Sequence, residues 1–196
     1  MSKKPSWPAS ERYGLTPAPH GLALVQELIN TREIRGLGAD LLADGVSAQA
    51  WGGQAARAWS AERGVESAPP ALNDHDAANL RTLRAVLAQL VAGNPIDKSD
   101  MHSNAVTFAL SDGGDVRLEP TGRGWRWLSS ASWSEVLLAQ QTGSWQRIKT
   151  CHNPDCGSSF YDRSKNCSGV WHNVKTCGNA ANLRASRARR RASATH

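Results

Sequence analysis

The sequence predicts an α+β chain: a mainly helical N-terminal domain with one small antiparallel sheet, then a small cysteine-rich module ending in a basic helix. Three observations predict it. Leu80, Leu83, Leu87 and Leu90 recur at helical spacing. Val106, Phe108 and Leu110, then Val116 and Leu118, alternate with polar residues on either side of Gly113-Gly114. The four cysteines all lie between Cys151 and Cys177, directly ahead of a run of arginines.

Taken in order, residues 1–19 hold lysines and four prolines without an apolar run, and read as a disordered leader with no signal peptide. Leu22, Val25, Leu28 and Ile29 predict a helix over 21–31. Gly36, Gly38 and Gly45 break up a looser stretch, and a second helix over 49–63 places Trp51, Ala55 and Trp59 on one side. Pro69 and Pro70 end it. The clearest helix spans 76–92, capped by Asn73 or Asp74 and stopped by Gly93 and Pro95. The alternating stretches flank Ser111 to Asp115 and predict a hairpin. A third strand is expected over 123–128, where a period of two puts Trp125 and Trp127 on one face. Ser132 followed by Glu135 resembles a capping box opening a helix through Gln141. These elements make 20–146 one helical, sensor-like domain and 147–192 a separate module.

Charge is unevenly placed. Ten of the 23 Lys/Arg and two of the 17 Asp/Glu fall in residues 147–196, a net of +8 there against −2 for the remainder. A polyanionic partner is therefore expected for the C-terminal module alone. No stretch approaches the roughly 18 apolar residues of a membrane helix, so a cytoplasmic protein with no membrane partner is expected. In a reducing compartment, clustered cysteines point to a metal before disulfides.

Cys151 and Cys156 are separated by four residues, as are His172 and Cys177, and fifteen residues separate the pairs. Two short chelate loops joined by a spacer can supply the four soft or borderline donors of a tetrahedral zinc site. The matched spacing gives Cys151, Cys156, His172 and Cys177 as ligands of Zn2+. A Cys₄ set with Cys167 in place of His172 is the competing assignment. Four protein ligands leave no position for a substrate water, so the metal would be structural and would stand in for a hydrophobic core. After Cys177 comes a proline-free stretch of helix formers in which Arg184, Arg187 and Arg191 share one face. Arginine forks suit phosphate oxygens and base edges, so Lys165, Arg184, Arg187, Arg190 and Arg191 are the nucleic-acid candidates.

At these residues the chain resembles the CGNR zinc-finger family. The resemblance rests on Cys151-x-Asn153-Pro154-Asp155-Cys156, Phe160-Tyr161-Asp162, Ser164-Lys165-Asn166, Trp171 and Cys177-Gly178-Asn179. His172 stands at the family's third cysteine, and Ala180 replaces the last Arg of the name motif, whose part is either absent or taken by Arg184. The module is expected to be treble-cleft-like or zinc-ribbon-like. Leu22 to Leu24, Ile29 to Arg32 and the Leu80-to-Leu87 region resemble the ABATE-type domain that precedes this finger, described as a stress-induced transcription regulator.

The resemblance implies a transcriptional regulator binding double-stranded DNA, with the N-terminal domain sensing a small-molecule effector or forming a homodimer. Asn30, Arg81 and Trp125 are the candidate effector-binding residues. The alternative is an enzyme or ligand-processing protein working through its N-terminal domain, with Asn30, Arg32, Arg81 and His102 as candidates. The sequence shows no nucleophile elbow, phosphate loop or paired carboxylates at helical spacing, and names no catalytic residue.

Overall fold

The computed structural model describes residues 5–34, 36–66, 68–97 and 103–193. In chain order it holds helices α1 (Pro8–Glu11), α2 (Ala23–Ile29), α3 (Gly45–Arg63) and α4 (Asp74–Ala92), then strands β1 (Val106–Leu110) and β2 (Val116–Pro120). Helix α5 (Trp125–Gln141), strands β3 (Ile148–Thr150) and β4 (Ser159–Tyr161), and helix α6 (Asn179–Ser193) complete it. The fold is α+β: helices α2 to α5 enclose the main core, and two antiparallel hairpins, β1–β2 and β3–β4, flank it.

Local chemistry sets the helix ends. The Asp44 carboxylate accepts from the Ser47 amide and opens α3 at Gly45, four residues before the apolar periodicity begins; Gly64, at φ +63°, closes it. Asn73 and Asp76 form a reciprocal capping box at the start of α4, and Gly93, at φ +71°, ends it. Between them α3 and α4 bury Trp51, Trp59, Leu80, Leu83 and Leu87.

The residues expected as a third strand are the first turn of α5. Asp76 explains this: its Oδ1 accepts from the Trp125 amide at 3.0 Å, so one carboxylate caps α4 and the start of α5. Gly124, at φ +59°, brings the chain so close that a Cβ there would lie 2.3 Å from that oxygen. Trp125 and Trp127 are buried in the helix, Trp127 edge-on to Trp59 with ring centroids 5.5 Å apart. Alternating tryptophans satisfied a strand pattern that this distant cap overrode. Ser132, expected to open the helix, lies fully buried within it.

The leader is likewise corrected over 5–19. Trp7 is 2% exposed and Leu15 6%. The fully buried Glu27 carboxylate accepts from the amides of Ala9 (2.6 Å) and Ser10 (2.8 Å) at the N-terminal end of α1, and from Trp51 Nε1 (3.2 Å). Burial pushes the Glu27 pKa up, against those donors, which pull it down. Arg12 donates to the carbonyls of Asn30, Thr31, Arg32 and Ala39. A proline-rich segment without periodicity is thus held by the distant Glu27 carboxylate and by its own Arg12 reaching distant carbonyls. Among the described residues, no helix is long and apolar enough to cross a membrane.

Candidate metal centre

Strands β3 and β4 form a three-residue hairpin, with Ile148 opposite Tyr161 and Thr150 opposite Ser159. It brings Cys151, just past β3, and Cys156, at the end of the intervening turn, to one place. In that turn the Cys156 amide donates to the Asn153 carbonyl (2.8 Å), and the Cys151 amide to the Ser158 carbonyl (2.9 Å). The second pair comes from the segment just ahead of α6. Asn173 caps a wide helical turn, Val174–Gly178, by accepting from the Thr176 amide, and this turn carries Cys177 into the site.

One ligand atom from each of Cys151, Cys156, His172 and Cys177 lies within 4.8 Å of the others. The three thiols are buried and the imidazole half-buried. His172 Nδ1 stands 3.4 Å from Cys156 Sγ and 3.5 Å from Cys177 Sγ. Zinc–sulfur and zinc–nitrogen bonds of about 2.3 and 2.0–2.1 Å at a tetrahedral angle place such atoms roughly 3.5 Å apart. The donor set therefore fits zinc. Ser158 Oγ, fully buried, sits 3.1 Å from both Cys156 Sγ and His172 Nδ1, and with metal bound its hydroxyl can donate to the Cys156 thiolate. Burial, with the neighbouring Cys156 and Cys177 adding to it, pushes the Cys151 thiol up to about 11. Three buried thiolates would repel one another, and a dication relieves that repulsion. Cys167 is placed differently: it holds φ +50°, and its Sγ donates to the Gln146 carbonyl at 3.5 Å.

The loop from Asp162 to Gly169 is fastened by charge. Asp162 accepts from Lys149 Nζ (2.7 Å) and from the amides of Ser164 (2.9 Å) and Gly169 (2.7 Å). Burial raises its pKa, but these donors outweigh burial and hold it well below the usual carboxylate range.

The centre has its own small core: Cys151, Cys156, Phe160 and Cys177 pack with Leu15 and Ile34, and Tyr13 and Trp171 lie against them. Asn30, fully buried, donates to the Ser159 carbonyl (2.8 Å) and accepts from the Ser159 amide (2.9 Å), so it holds β4 as a paired strand would. Arg32 donates to the Gly157 carbonyl at 2.5 Å, and Arg163 to the Pro17 carbonyl at 2.8 Å.

Three buried cysteines and a histidine on two short loops, feeding a helix, define a structural zinc-finger module. The model of the CGNR zinc finger family matches residues 147–190. That segment, which carries all four residues of the cluster, is similar to a CGNR zinc finger. No curated protein matches the chain.

Of the sequence-derived effector residues, Arg81 lines a cavity along α4, whereas Asn30 and Trp125 are buried. Asn30 is spent on β4. Arg81 donates to the carbonyls of Leu42 and Ala43. Trp125 is buried at the start of α5, with the Arg126 guanidinium over its ring. Each of the three holds the fold together. His102 lies outside the described residues. Of the nucleic-acid candidates, Lys165, Arg187, Arg190 and Arg191 are exposed. Arg184 is exposed as well, but its guanidinium donates to Asp155 and to the Asn153 side chain in the first ligand loop. Sequence reasoning missed Ser158, whose hydroxyl carries no spacing signal, and Glu135, which it took for a cap. Glu135 instead accepts from Trp59 Nε1 (2.7 Å) and Arg63 Nε (2.6 Å).

Proposed function

We propose that the protein is a DNA-binding regulator in which Cys151, Cys156, His172 and Cys177 hold a structural zinc and α6 contacts duplex DNA. The observation that carries this reading is the helix itself. It contains no acidic residue, presents Arg187, Arg189, Arg190 and Arg191 at its surface, and starts at Asn179, directly after the turn that carries Cys177. Arg184, braced against Asp155 and Asn153, gives the helix a fixed direction from the metal loop, so its arginines are presented from a rigid base. The N-terminal helices supply the sensing layer. A cavity of about 390 Å³ lies between that layer and β4, lined by Leu22, Arg63, Glu135, Leu138 and Tyr161 among others. It is within the size range of small-molecule sites, and a ligand there would touch the finger through Tyr161.

Fluorescence anisotropy of the zinc-loaded full chain with labelled duplex DNA tests the reading. Each neutralised phosphate contributes about −0.9 to the log–log salt slope, and three to five contacts per chain are expected. Arg187→Ala and Arg190→Ala should flatten the slope and weaken all sequences alike. An absence of binding near 50 mM salt, where phosphate contacts are strongest, would refute the proposal.

A further inference from the structure

We infer that the β1–β2 hairpin is a self-association surface, joining two copies of this chain edge to edge through β1. The register pairs Val106 with Pro120, Phe108 with Leu118 and Leu110 with Val116. Residues opposite one another in an antiparallel pair share a face, so these six apolar side chains form one side of the ribbon. Helix α5 lies against β2, and Leu118 is half-buried beside it. Across β1 the cover stops: Phe108 is 72% exposed, Leu110 73% and Val106 38%, and Val116, at the turn end of β2, is 68% exposed.

The two edges differ. β2 carries Arg117 and Glu119 and ends in Pro120, and Arg117 is tied back to the Gly64 carbonyl. Charge and proline are the usual protection of an exposed edge. β1, Val-Thr-Phe-Ala-Leu, has neither, and among the described residues it pairs with β2 alone. A second copy fits this edge because β1 complements itself. Antiparallel pairing about a two-fold axis at Phe108 sets Phe108 against Phe108 and Val106 against Leu110, and brings no two charges together. The result is a four-stranded sheet with one continuous apolar row, an α5 helix at each side of the same face. Such a contact is isologous and closes at two chains. Edge pairing buries the outer backbone of β1 and the flanks of Val106, Phe108 and Leu110, an area below the ~1,000 Å² of specific interfaces, so the dimer is a weak one.

Sedimentation equilibrium of the zinc-loaded full chain from 1 to 200 µM should show a monomer–dimer equilibrium. Phe108→Lys, at an exposed position, should raise the dissociation constant at least tenfold with unchanged helix signal, while Phe108→Leu should stay near wild type. In a Cys167→Ser background, Phe108→Cys should form a cross-linked dimer on mild oxidation, because the axis places the two thiols opposite each other, whereas Thr107→Cys should not. A wild type monomeric at 200 µM, or a dimer undisturbed by Phe108→Lys, would overturn the inference. The assay is independent of the DNA reading: a monomer that binds DNA removes only the dimer, and a dimer that does not bind DNA removes only the regulator.

Discussion

Asn30 shows how much a single side chain can carry between distant parts of this chain. Its amide meets both main-chain groups of Ser159 from 129 residues away. Asn30→Leu would strand a buried donor and a buried acceptor, and should cost roughly 2–4 kcal/mol in urea unfolding at constant zinc. Asn30→Asp keeps one bond and sets a carboxylate against the Ser159 carbonyl, so it should be no milder. Arg184 invites a different experiment. Its pair with Asp155 is exposed, so little global stability rests on it. Arg184→Ala should instead loosen the start of α6, seen as faster amide exchange there. Arg187→Ala should leave exchange unchanged while weakening DNA.

Elements in this protein begin where a cap can reach, and some caps are remote. The start of α5 depends on Gly124 and Asp76, so Gly124→Ala, with its Cβ against a carboxylate oxygen and a left-handed φ to hold, should destabilise by at least about 1–2 kcal/mol. The loop before α3 is held by Asp40, which accepts from Arg84 Nη1 (2.7 Å) and Nη2 (2.8 Å) and from the Leu42 amide (2.9 Å). Burial raises the Asp40 pKa, and the Arg84 and Leu42 donors more than reverse it, leaving it below the usual value. A carboxyl depressed in the folded state stabilises fully above its unfolded pKa of about 3.9, and that stability is lost as pH falls through the folded value. Asp40→Asn should therefore lower the thermal midpoint at pH 6, and the gap from wild type should narrow below about pH 4. A gap that stays constant down to pH 2 would mean the ion pair contributes nothing.

At the scale of the whole molecule, the finger does not stand apart from the helices. Ile148, on its first strand, belongs to the main core, and Leu15 and Ile34 belong to the core around the cysteines. Chelating the metal should therefore do more than unfold residues 147–190. Hydrogen exchange should also accelerate at residues 13–17 and 30–34, which pack on or bond to the finger, while α3 and α4 keep their protection. Exchange confined to the finger would show that the shared core transmits nothing. Loss of all helices together would show one cooperative unit.

What the sequence by itself determined is whatever depends on short spacing. Two cysteine-or-histidine pairs at matched intervals, a leucine stripe between an asparagine cap and a glycine stop, alternation around a Gly-Gly turn and an arginine run each carry their signal within a few residues. All four reappear in the structure as the gathered ligand cluster, α4, the β1–β2 hairpin and α6. Only the tertiary structure decided what depends on distant partners. The proline-rich N-terminus is ordered because Glu27 accepts from its amides and its own Arg12 finds acceptors at Asn30, Thr31, Arg32 and Ala39. Trp125 and Trp127 are helical because Asp76, about 50 residues earlier, caps the Trp125 amide that opens α5. Asn30 reads as a ligand-facing group, yet it is spent on the fold, and Arg184, though exposed, is engaged by Asp155 and Asn153. A side chain's chemistry is legible in sequence; which buried amide or carbonyl claims it is settled by packing, because a buried polar group left unpaired costs more than any local preference is worth.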